Sequence, residues 1–154
     1  MTIKHHVTWE QYFELCYNII QQIKDQGITD IIGIARGGLI PAQYIAYSLD
    51  IERVHSCGIQ TYTPDHKKMS NTFKELYQKV DVSDWKNRNI LILDDIADTG
   101  DTFQIFLDNH YFSPESNNKI YTAALHYKQK KCHFGLNYWA EDIASDTWVV
   151  YPYD

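Results

Sequence analysis

The sequence predicts an α/β fold with a mainly parallel sheet and helices on both faces of that sheet. Two segments, 30–35 (DIIGIA) and 89–93 (NILIL), are short continuous apolar runs, the pattern of a parallel strand that is buried on both sides. Each run is followed by a loop that contains glycine and then by apolar residues at helical spacing. This order of strand, loop and helix is typical of sheets whose parallel strands are joined by helical crossovers.

A helix is predicted before the first of these strands, at 9–26. Thr8 and Gln11 have the spacing of a capping box, and apolar residues then recur at helical spacing until Gly27. The later elements are predicted as a strand at 30–35, a helix at 39–50, a strand at 53–62, a mobile loop or hairpin at 63–75, a strand at 89–93, a helix at 102–112, a strand at 120–127 and an edge strand at 136–143. The length of 154 residues suits one domain, 1–154.

The bulk composition narrows the class of protein. The formal net charge is −6, which argues against a basic surface for nucleic acid. Cys16, Cys57 and Cys132 are far apart and form no CxxC pair, so we expect reduced thiols. The first residues lack the apolar segment of a secretion signal, and no apolar run approaches the length of a membrane span. We therefore expect a cytoplasmic protein.

The loop after the strand 89–93 has the composition of a phosphate site. In sheets of this class, ligands bind at the carboxyl ends of the strands. Gly100 permits a turn with positive φ, so backbone N–H groups can converge at the start of the following helix. Thr99 and Thr102 add hydroxyl donors beside Asp101. The sequence thus predicts a phosphate cup that contains no Lys or Arg.

Asp94 and Asp95 directly precede this cup. Carboxylates bind sugar hydroxyls and hard cations such as Mg²⁺. A helix cap is the simpler explanation for Asp and Thr in such a loop, but it does not account for two adjacent acids on an apolar strand. We therefore expect the carboxylates to hold the sugar and metal end of a sugar phosphate.

The loop after the strand 30–35 reads ARGG. Gly37 and Gly38 allow backbone amides to approach an anion, and Arg36 can bind phosphate oxygens through two hydrogen bonds. An ordinary strand-to-helix turn would have the same composition. Its position beside the phosphate cup favours a second phosphate site.

These residues resemble a known family. ILILDDIADTGDT (90–102) resembles the phosphoribosyl pyrophosphate motif of type I phosphoribosyltransferases, and IIGIARGGLIPA (31–42) is similar to their pyrophosphate loop. HVTWEQ near the start and DTWVVYPYD at the end resemble the short bacterial xanthine-guanine phosphoribosyltransferases. The resemblance covers most of the chain, and it implies the type I phosphoribosyltransferase fold with a small C-terminal hood at 136–154 that completes the base site.

The resemblance implies that a purine base attacks C1 of phosphoribosyl pyrophosphate and releases pyrophosphate, with Mg²⁺ as the cofactor. Asp94 and Asp95 would hold the ribose hydroxyls, with Asp95 the residue linked to the metal, and Asp98 would accept a proton near purine N7. The substrate contacts that it implies are Arg36, Gly37, Gly38, Asp94, Asp95, Ala97, Asp98, Thr99, Gly100, Asp101, Thr102, Lys128, Trp148 and Val149.

The base site is implied by three of these residues. Trp148 would stack on the purine, the backbone of Val149 would read the ring edge, and Lys128 would contact O6. Core packing is the alternative for Trp148, and a charged surface turn is the alternative for Lys128. Lys130 and Lys131 are close enough in sequence to take the place of Lys128.

One residue departs from the family pattern, and one segment is not recognisable from it. Asp101 stands where the family often has Gly or Lys, and its carboxylate would weaken phosphate binding if it faced inward. The segment 63–75, with its basic residues His66, Lys67 and Lys68, could close over pyrophosphate as a lid or be a solvated loop. We expect His5 and His6 to be surface residues.

Two other functions fit the same motif. One is a regulatory protein that binds phosphoribosyl pyrophosphate, although the acidic single-domain chain offers no nucleic-acid surface. The other is a transferase for a different base, which the Asp-Thr-Trp sequence near the end disfavours. The resemblance and the many aromatic residues also predict a homodimer or homotetramer.

Overall fold

The computed structural model describes residues 2–62 and 73–154. Its strands and helices are, in chain order, β1 (Ile3–His6), α1 (Trp9–Ile23), β2 (Asp30–Ala35), α2 (Leu39–Ser48), β3 (Arg53–Tyr62), β4 (Phe73–Gln78), β5 (Asn89–Ala97), α3 (Asp101–Asn109), β6 (Lys119–Tyr127), β7 (Tyr138–Asp142) and β8 (Thr147–Val150). A short 3-10 turn, Pro114–Ser116, lies between α3 and β6.

The main sheet confirms the predicted fold class. Its six strands lie in the order β4-β3-β2-β5-β6-β7, and every neighbouring pair is parallel except β3 with β4. Strands β2 and β5 lie side by side at the centre, with Ile31 opposite Leu91. The loops that follow these two strands therefore meet at the carboxyl edge of the sheet.

The apolar strands alternate between two cores. Ile31, Leu91 and Leu93 belong to the core that contains the buried side chains of α1 and α2, whereas Ile32 and Ile92 belong to the core under α3. This alternation follows from the period of two in a strand, and it explains the continuous apolar sequence of β2 and β5. Helices cover both faces, as predicted.

The two ends of the described chain form a second, smaller sheet. Strand β1 pairs in parallel with β8, and His5 lies opposite Val149. From here on, the hood means this pair of strands, because β7 of the predicted hood 136–154 belongs to the main sheet instead. Sequence analysis does not predict β1, because four residues with little apolar alternation give no strand signal. Strand β7, within the predicted 136–143, is an edge strand of the main sheet, as predicted.

Several predicted boundaries differ from the structure. All three helices end before their predicted ends of 26, 50 and 112, at Ile23, Ser48 and Asn109, and β7 is shorter than the predicted 136–143. Strand β5 continues to Ala97, four residues beyond the predicted end, because Asp94, Ile96 and Ala97 still pair with β6. In the predicted loop 63–75, residues 63–72, which include His66, Lys67 and Lys68, lie outside the described residues, and 73–75 begin β4. In the described part of the chain, none of the helices is both long and apolar enough to cross a membrane.

Candidate active site

The loops after β2 and β5 pack directly against each other. The carboxylate of Asp95 lies so close to Gly37 that a Cβ on this glycine would overlap it, and a Cβ on Gly38 would overlap the carbonyl of Leu93. Glycine is therefore required here for close approach, in addition to any role in exposing amides to an anion. Arg36 is exposed at the tip of the first loop, after a cis peptide bond with Ala35.

The start of α3 forms the predicted cup. Gly100 has φ +94°, and a Cβ there would lie 2.6 Å from Cβ of Phe134. The first N–H groups of a helix have no backbone partner within the helix. Here the N–H of Asp101 donates to Oγ1 of Thr99 at 3.3 Å, and the N–H groups that follow it are the candidates to bind an anion. A cavity of about 190 Å³ opens at this point, and its lining is Lys74, Asp94, Asp95, Ile96, Ala97, Asp98, Thr99, Gly100, Thr102 and Phe103.

Lys74 is a site residue that sequence reasoning missed. Strand β4 brings it into the lining of the cup. Its positive charge partly opposes the raised pKa of Asp94 and adds to the lowering of the pKa of Asp101 by His133. The expectation of a cup without Lys or Arg was therefore wrong. The sequence gives little indication of this role, because Lys74 lies in a polar segment without periodicity. Its position beside the cup comes from the antiparallel pairing of β4 with β3, in which it lies opposite Thr61.

Residues near the end of the chain hold Asp95 in place. The hydroxyl of Tyr153 donates to Oδ2 of Asp95 at 2.8 Å, and the hydroxyl of Tyr151 donates to the backbone carbonyl of Asp95 at 2.9 Å. The N–H of Asp95 donates to Oδ1 of Asp94 at 2.9 Å. The two carboxylates therefore have fixed positions at the end of β5.

The electrostatics of this pair favour a cation. Burial raises the pKa of Asp94 well above its usual range, and the charge of Asp95 raises it further. Burial also raises the pKa of Asp95, although the hydrogen bonds from Tyr153 and the neighbouring groups oppose that shift. Two adjacent, partly buried carboxylates that resist ionisation would be stabilised in their charged form by a divalent cation. Their hard oxygen donors fit Mg²⁺.

Asp98 lies between two lysines. Its Oδ1 is 3.4 Å from Nζ of Lys128 and 2.6 Å from Nζ of Lys131. Lys128 is buried, with 6% of its surface exposed, and its N–H donates to the carbonyl of Ala97 at 3.0 Å. Lys128 is thus a buried residue beside Asp98, which does not fit the alternative of an exposed, charged surface turn. Lys131 also reaches the site, whereas Lys130 is exposed and has no ion pair among the described residues.

The carboxylate of Asp101 binds a side chain outside the cup. Its Oδ1 lies 2.7 Å from Nε2 of His133, and this hydrogen bond lowers the pKa of Asp101. Asp101 does not line the cavity. The acid that departs from the family pattern therefore faces away from the place where a phosphate would bind.

The hood presents the two remaining candidate residues. Trp148 is 60% exposed and Val149 is buried, as expected for neighbours on a strand with one solvated face. Trp148 is thus not a core residue, and most of its surface remains accessible in the described part of the chain. The segment after β8 leads within four residues to Tyr151 and Tyr153, which contact Asp95.

Comparisons with known proteins agree with this geometry. A family model described as "Phosphoribosyl transferase domain" matches residues 8–146. The chain is 29% identical to a xanthine-guanine phosphoribosyltransferase of Nitratidesulfovibrio vulgaris, over 96% of this chain and 83% of that protein. It is 25% identical to the enzyme of the same name from Cereibacter sphaeroides, over 97% of this chain and 86% of that protein.

Two solved structures share the fold. A purine phosphoribosyltransferase from Pyrococcus horikoshii superposes with a TM-score of 0.79 at 24% identity, over 98% of this chain and 93% of that chain. A xanthine-guanine-hypoxanthine phosphoribosyltransferase from Helicobacter pylori superposes with a TM-score of 0.78 at 17% identity, over 97% of this chain and 93% of that chain. These similarities support the arrangement of the sheet and loops described above.

Proposed function

Because the chain belongs to the phosphoribosyl transferase domain family, we propose that it transfers the 5-phosphoribosyl group from phosphoribosyl pyrophosphate to a 6-oxopurine. Guanine, xanthine or hypoxanthine would be the acceptor, and the products are a nucleoside 5′-monophosphate and pyrophosphate. This is a step of purine salvage. The observation that carries the proposal is that the anion cup at α3, the Asp94–Asp95 pair and the Arg36 loop meet at one edge of the sheet.

We assign each part of the substrate to the protein groups whose charge and hydrogen-bonding capacity match it. The cup from Asp98 to Thr102 holds the 5′-phosphate through backbone N–H groups and hydroxyls, with Lys74 as a nearby positive charge. Asp94 and Asp95 accept hydrogen bonds from the ribose hydroxyls. Arg36 and the amide of Gly37 bind pyrophosphate, whose charge grows as it leaves C1. The N–H of Gly38 donates to the carbonyl of Ile34 at 2.8 Å, so Gly38 contributes close approach of the backbone and not a free amide.

We further propose that Mg²⁺ is the cofactor, held through Asp95. When bound, the ion would offset negative charge on the leaving pyrophosphate, and Asp95 would hold it. Tyr153 fixes the orientation of the Asp95 carboxylate by its 2.8 Å hydrogen bond. Without the ion, the two carboxylates would repel a substrate that carries both a phosphate and a pyrophosphate group.

The base is proposed to bind between the hood and the loop after β6. Asp98 accepts a proton near purine N7, and its ion pairs with Lys128 and Lys131 fix the position of this carboxylate. Lys128 donates to O6 of the base, Trp148 stacks on the rings, and the backbone of Val149 reads the other edge. We regard 1–154 as one domain in which the hood completes the base site.

The proposed setting of the enzyme rests on two observations. All three cysteines are free thiols, as expected for a protein in the cytoplasm. Aromatic side chains are exposed on α1 and α2, among them Tyr17 at 60% and Tyr47 at 80%, which supports association into a dimer or tetramer. Analytical ultracentrifugation tests this, since a mass of one chain at micromolar concentration would contradict it.

The activity itself is tested by product identification. The purified chain is incubated with phosphoribosyl pyrophosphate, guanine and Mg²⁺, and the mixture is analysed by mass spectrometry. We expect guanosine 5′-monophosphate and pyrophosphate in equal amounts, and no product when a chelator replaces Mg²⁺. Binding of phosphoribosyl pyrophosphate without turnover of any base would instead favour a regulatory protein.

A further inference from the structure

Three metal-binding side chains from three strands converge outside the active site. His5 lies on β1, His126 on β6 and Glu141 on β7, and one potential ligand atom of each lies within 4.8 Å of the others. His126 and Glu141 are brought together by the register of β6 and β7, in which they are direct partners. The hood carries His5 to the same place, with its ring centroid 5.9 Å from that of His126.

His126 is the informative member of this cluster. Its side chain is fully buried, and among residues 2–62 and 73–154 its Nε2 has no hydrogen-bond partner. This nitrogen lies 3.4 Å from Oε2 of Glu141. A buried polar atom without a partner is costly, so its orientation toward His5 and Glu141 requires an explanation.

The hydrogen bonds on the other side of the ring determine its tautomer. The hydroxyl of Tyr151 has one proton, which it donates to the backbone carbonyl of Asp95 at 2.9 Å. That hydroxyl must therefore accept the 2.8 Å hydrogen bond from Nδ1 of His126. In the neutral ring Nε2 then has a lone pair and no proton, which is the state of a metal ligand held by an outer hydrogen bond.

We propose that His5, His126 and Glu141 bind a late first-row divalent metal ion of the zinc class. Two imidazoles and one carboxylate are a known ligand set for zinc, with a further position open. The 3.4 Å between Nε2 of His126 and Oε2 of Glu141 matches the edge of a tetrahedron with bonds of about 2.0–2.1 Å. His5 completes the set by a small movement on its short strand.

The surroundings leave room for the open position. A cavity of about 350 Å³ lies over the cluster, and its lining includes His5, Glu141 and three polar side chains of α1: Gln11, Glu14 and Asn18. The carboxylate of Glu14 adds negative charge toward the ion. Mg²⁺ prefers all-oxygen sites, so the proposed ion would not compete with Mg²⁺ at Asp94 and Asp95. This inference stands apart from the proposed function.

The position of the site suggests what it does. The bound ion would join the hood to the main sheet, because His5 pairs with Val149 in the hood and the other two ligands lie on β6 and β7. It would also fix His126 and, through Tyr151, the backbone of Asp95. We therefore expect metal binding to stabilise the fold and to order the hood.

The test is a zinc titration of the full chain, first freed of metal by a chelator and then measured by calorimetry in excess Mg²⁺. His5→Gln and Glu141→Gln remove ligands at partly or fully exposed positions, so both variants should fold. His6→Gln and Asp142→Asn are the matched controls, because they alter the exposed neighbours on the same strands. Thermal melts with and without zinc are measured on all five proteins.

We expect one zinc ion per chain for the wild type and both controls, with affinity at least about 10-fold weaker in His5→Gln and Glu141→Gln. Zinc should raise the melting temperature of the wild type and controls and leave that of the two ligand variants unchanged. The absence of saturable binding, or equal affinity in His5→Gln and His6→Gln, would overturn the proposal. The His126–Glu141 contact would then be a simple ion pair.

A second measurement separates this site from a thiol site. The structure leaves Cys132 partly accessible, and cysteine binds zinc well. The Co²⁺-loaded chain should show visible bands of nitrogen and oxygen ligation without a thiolate charge-transfer band, and these bands should vanish in His5→Gln. A thiolate band that persists in His5→Gln and is lost in Cys132→Ser would also overturn the proposal.

Discussion

The hydroxyl of Tyr153 donates a 2.8 Å hydrogen bond to Oδ2 of Asp95. A residue one position from the end of the sequence thereby orients the carboxylate that we propose to hold Mg²⁺. Tyr151, two residues earlier, contacts the backbone carbonyl of the same aspartate. Tyr151 and Tyr153 thus support the proposed active site from outside the two sheet loops.

Tyr153→Phe tests this support. Loss of a hydrogen bond to a carboxylate costs roughly 1.5 kcal/mol, so we expect the KM for phosphoribosyl pyrophosphate to rise by about 10-fold. Steady-state kinetics at fixed Mg²⁺ would measure it. Tyr111→Phe, whose side chain is 77% exposed, is the control and should behave as the wild type. An unchanged KM in Tyr153→Phe would show that the bond does not position Asp95.

Gly37→Ala tests the contact between the two loops. Its Cβ would overlap the carboxylate of Asp95, and a displacement of about 1 Å in a reacting group can cost about 10²-fold in rate. We expect kcat/KM to fall by about that factor. Gly135→Ala is the matched control, because no atom lies within 4 Å of the added Cβ. Equal activity of the two variants would contradict the proposed role of the Gly37–Asp95 contact.

Asp98→Asn tests the proton acceptor. The amide keeps the shape and one oxygen of the side chain but cannot take a proton, so kcat should fall by about 10²–10⁴-fold. Thermal melting should show a folded protein. Asp108→Asn, at an exposed position of α3, should retain full turnover. Wild-type turnover in Asp98→Asn would reject the role assigned to this carboxylate.

Asp94→Asn tests how much the ionised carboxyl of Asp94, in its partly buried position, lowers the free energy of unfolding. Burial raises the pKa of Asp94 in the folded chain, so the folded state binds this proton more tightly than the unfolded state does. The contribution of this carboxyl to stability is therefore complete below the pKa of the unfolded chain and is lost as pH rises through the raised pKa. Replacement by Asn should stabilise the metal-free protein at about pH 8 and much less at about pH 4.

Thermal melting in chelator measures this difference. At the higher pH, each kcal/mol by which Asp94→Asn increases the free energy of unfolding should raise its melting temperature by about 2–4 °C relative to the wild type. The variant should nevertheless lose activity. Asp25→Asn, at an exposed position after α1, should show no such dependence on pH. If the difference in melting temperature between Asp94→Asn and the wild type were the same at both pH values, the raised pKa of Asp94 would be contradicted.

Much of the fold could be predicted because burial on both faces marks a central strand. Strand β2 has the predicted bounds, and β3 has them as well. The prediction ended β5 four residues early because Asp94 and Asp95 break its apolar run, although pairing with β6 continues to Ala97. Polar side chains suggest the end of a strand, but the backbone N–H and C=O groups pair with the neighbouring strand whether or not the side chains are polar.

The site was predictable where it is local in sequence and hidden where it depends on long-range packing. The cup at Gly100 and the ARGG loop are contiguous motifs. Strand pairing and contacts between residues far apart in sequence bring in the others, namely Lys74, Tyr153 and the pair of His5 with His126. His5 was expected to be a simple surface residue, and its spacing from the other ligands gives no sign of the cluster.

Base selectivity reports on the buried lysine beside Asp98. The ammonium group of Lys128 can only donate hydrogen bonds. The 6-amino group of adenine is also a donor, so the two groups could not bond to each other and adenine would bind poorly. Lys128→Met should therefore erode discrimination between 6-oxopurines and adenine. Trp148→Ala should weaken all purines alike, because stacking does not distinguish them. If Lys128→Met left the preference intact, Lys131 would become the better candidate, followed by Lys130.

The most direct test of the central claim is kcat/KM for guanine, xanthine, hypoxanthine, adenine and orotate with phosphoribosyl pyrophosphate and Mg²⁺. The account predicts that the best 6-oxopurine exceeds adenine by at least about 10²-fold, or roughly 3 kcal/mol in the transition state, and that orotate does not react. Adenine or orotate reacting as well as guanine would contradict it.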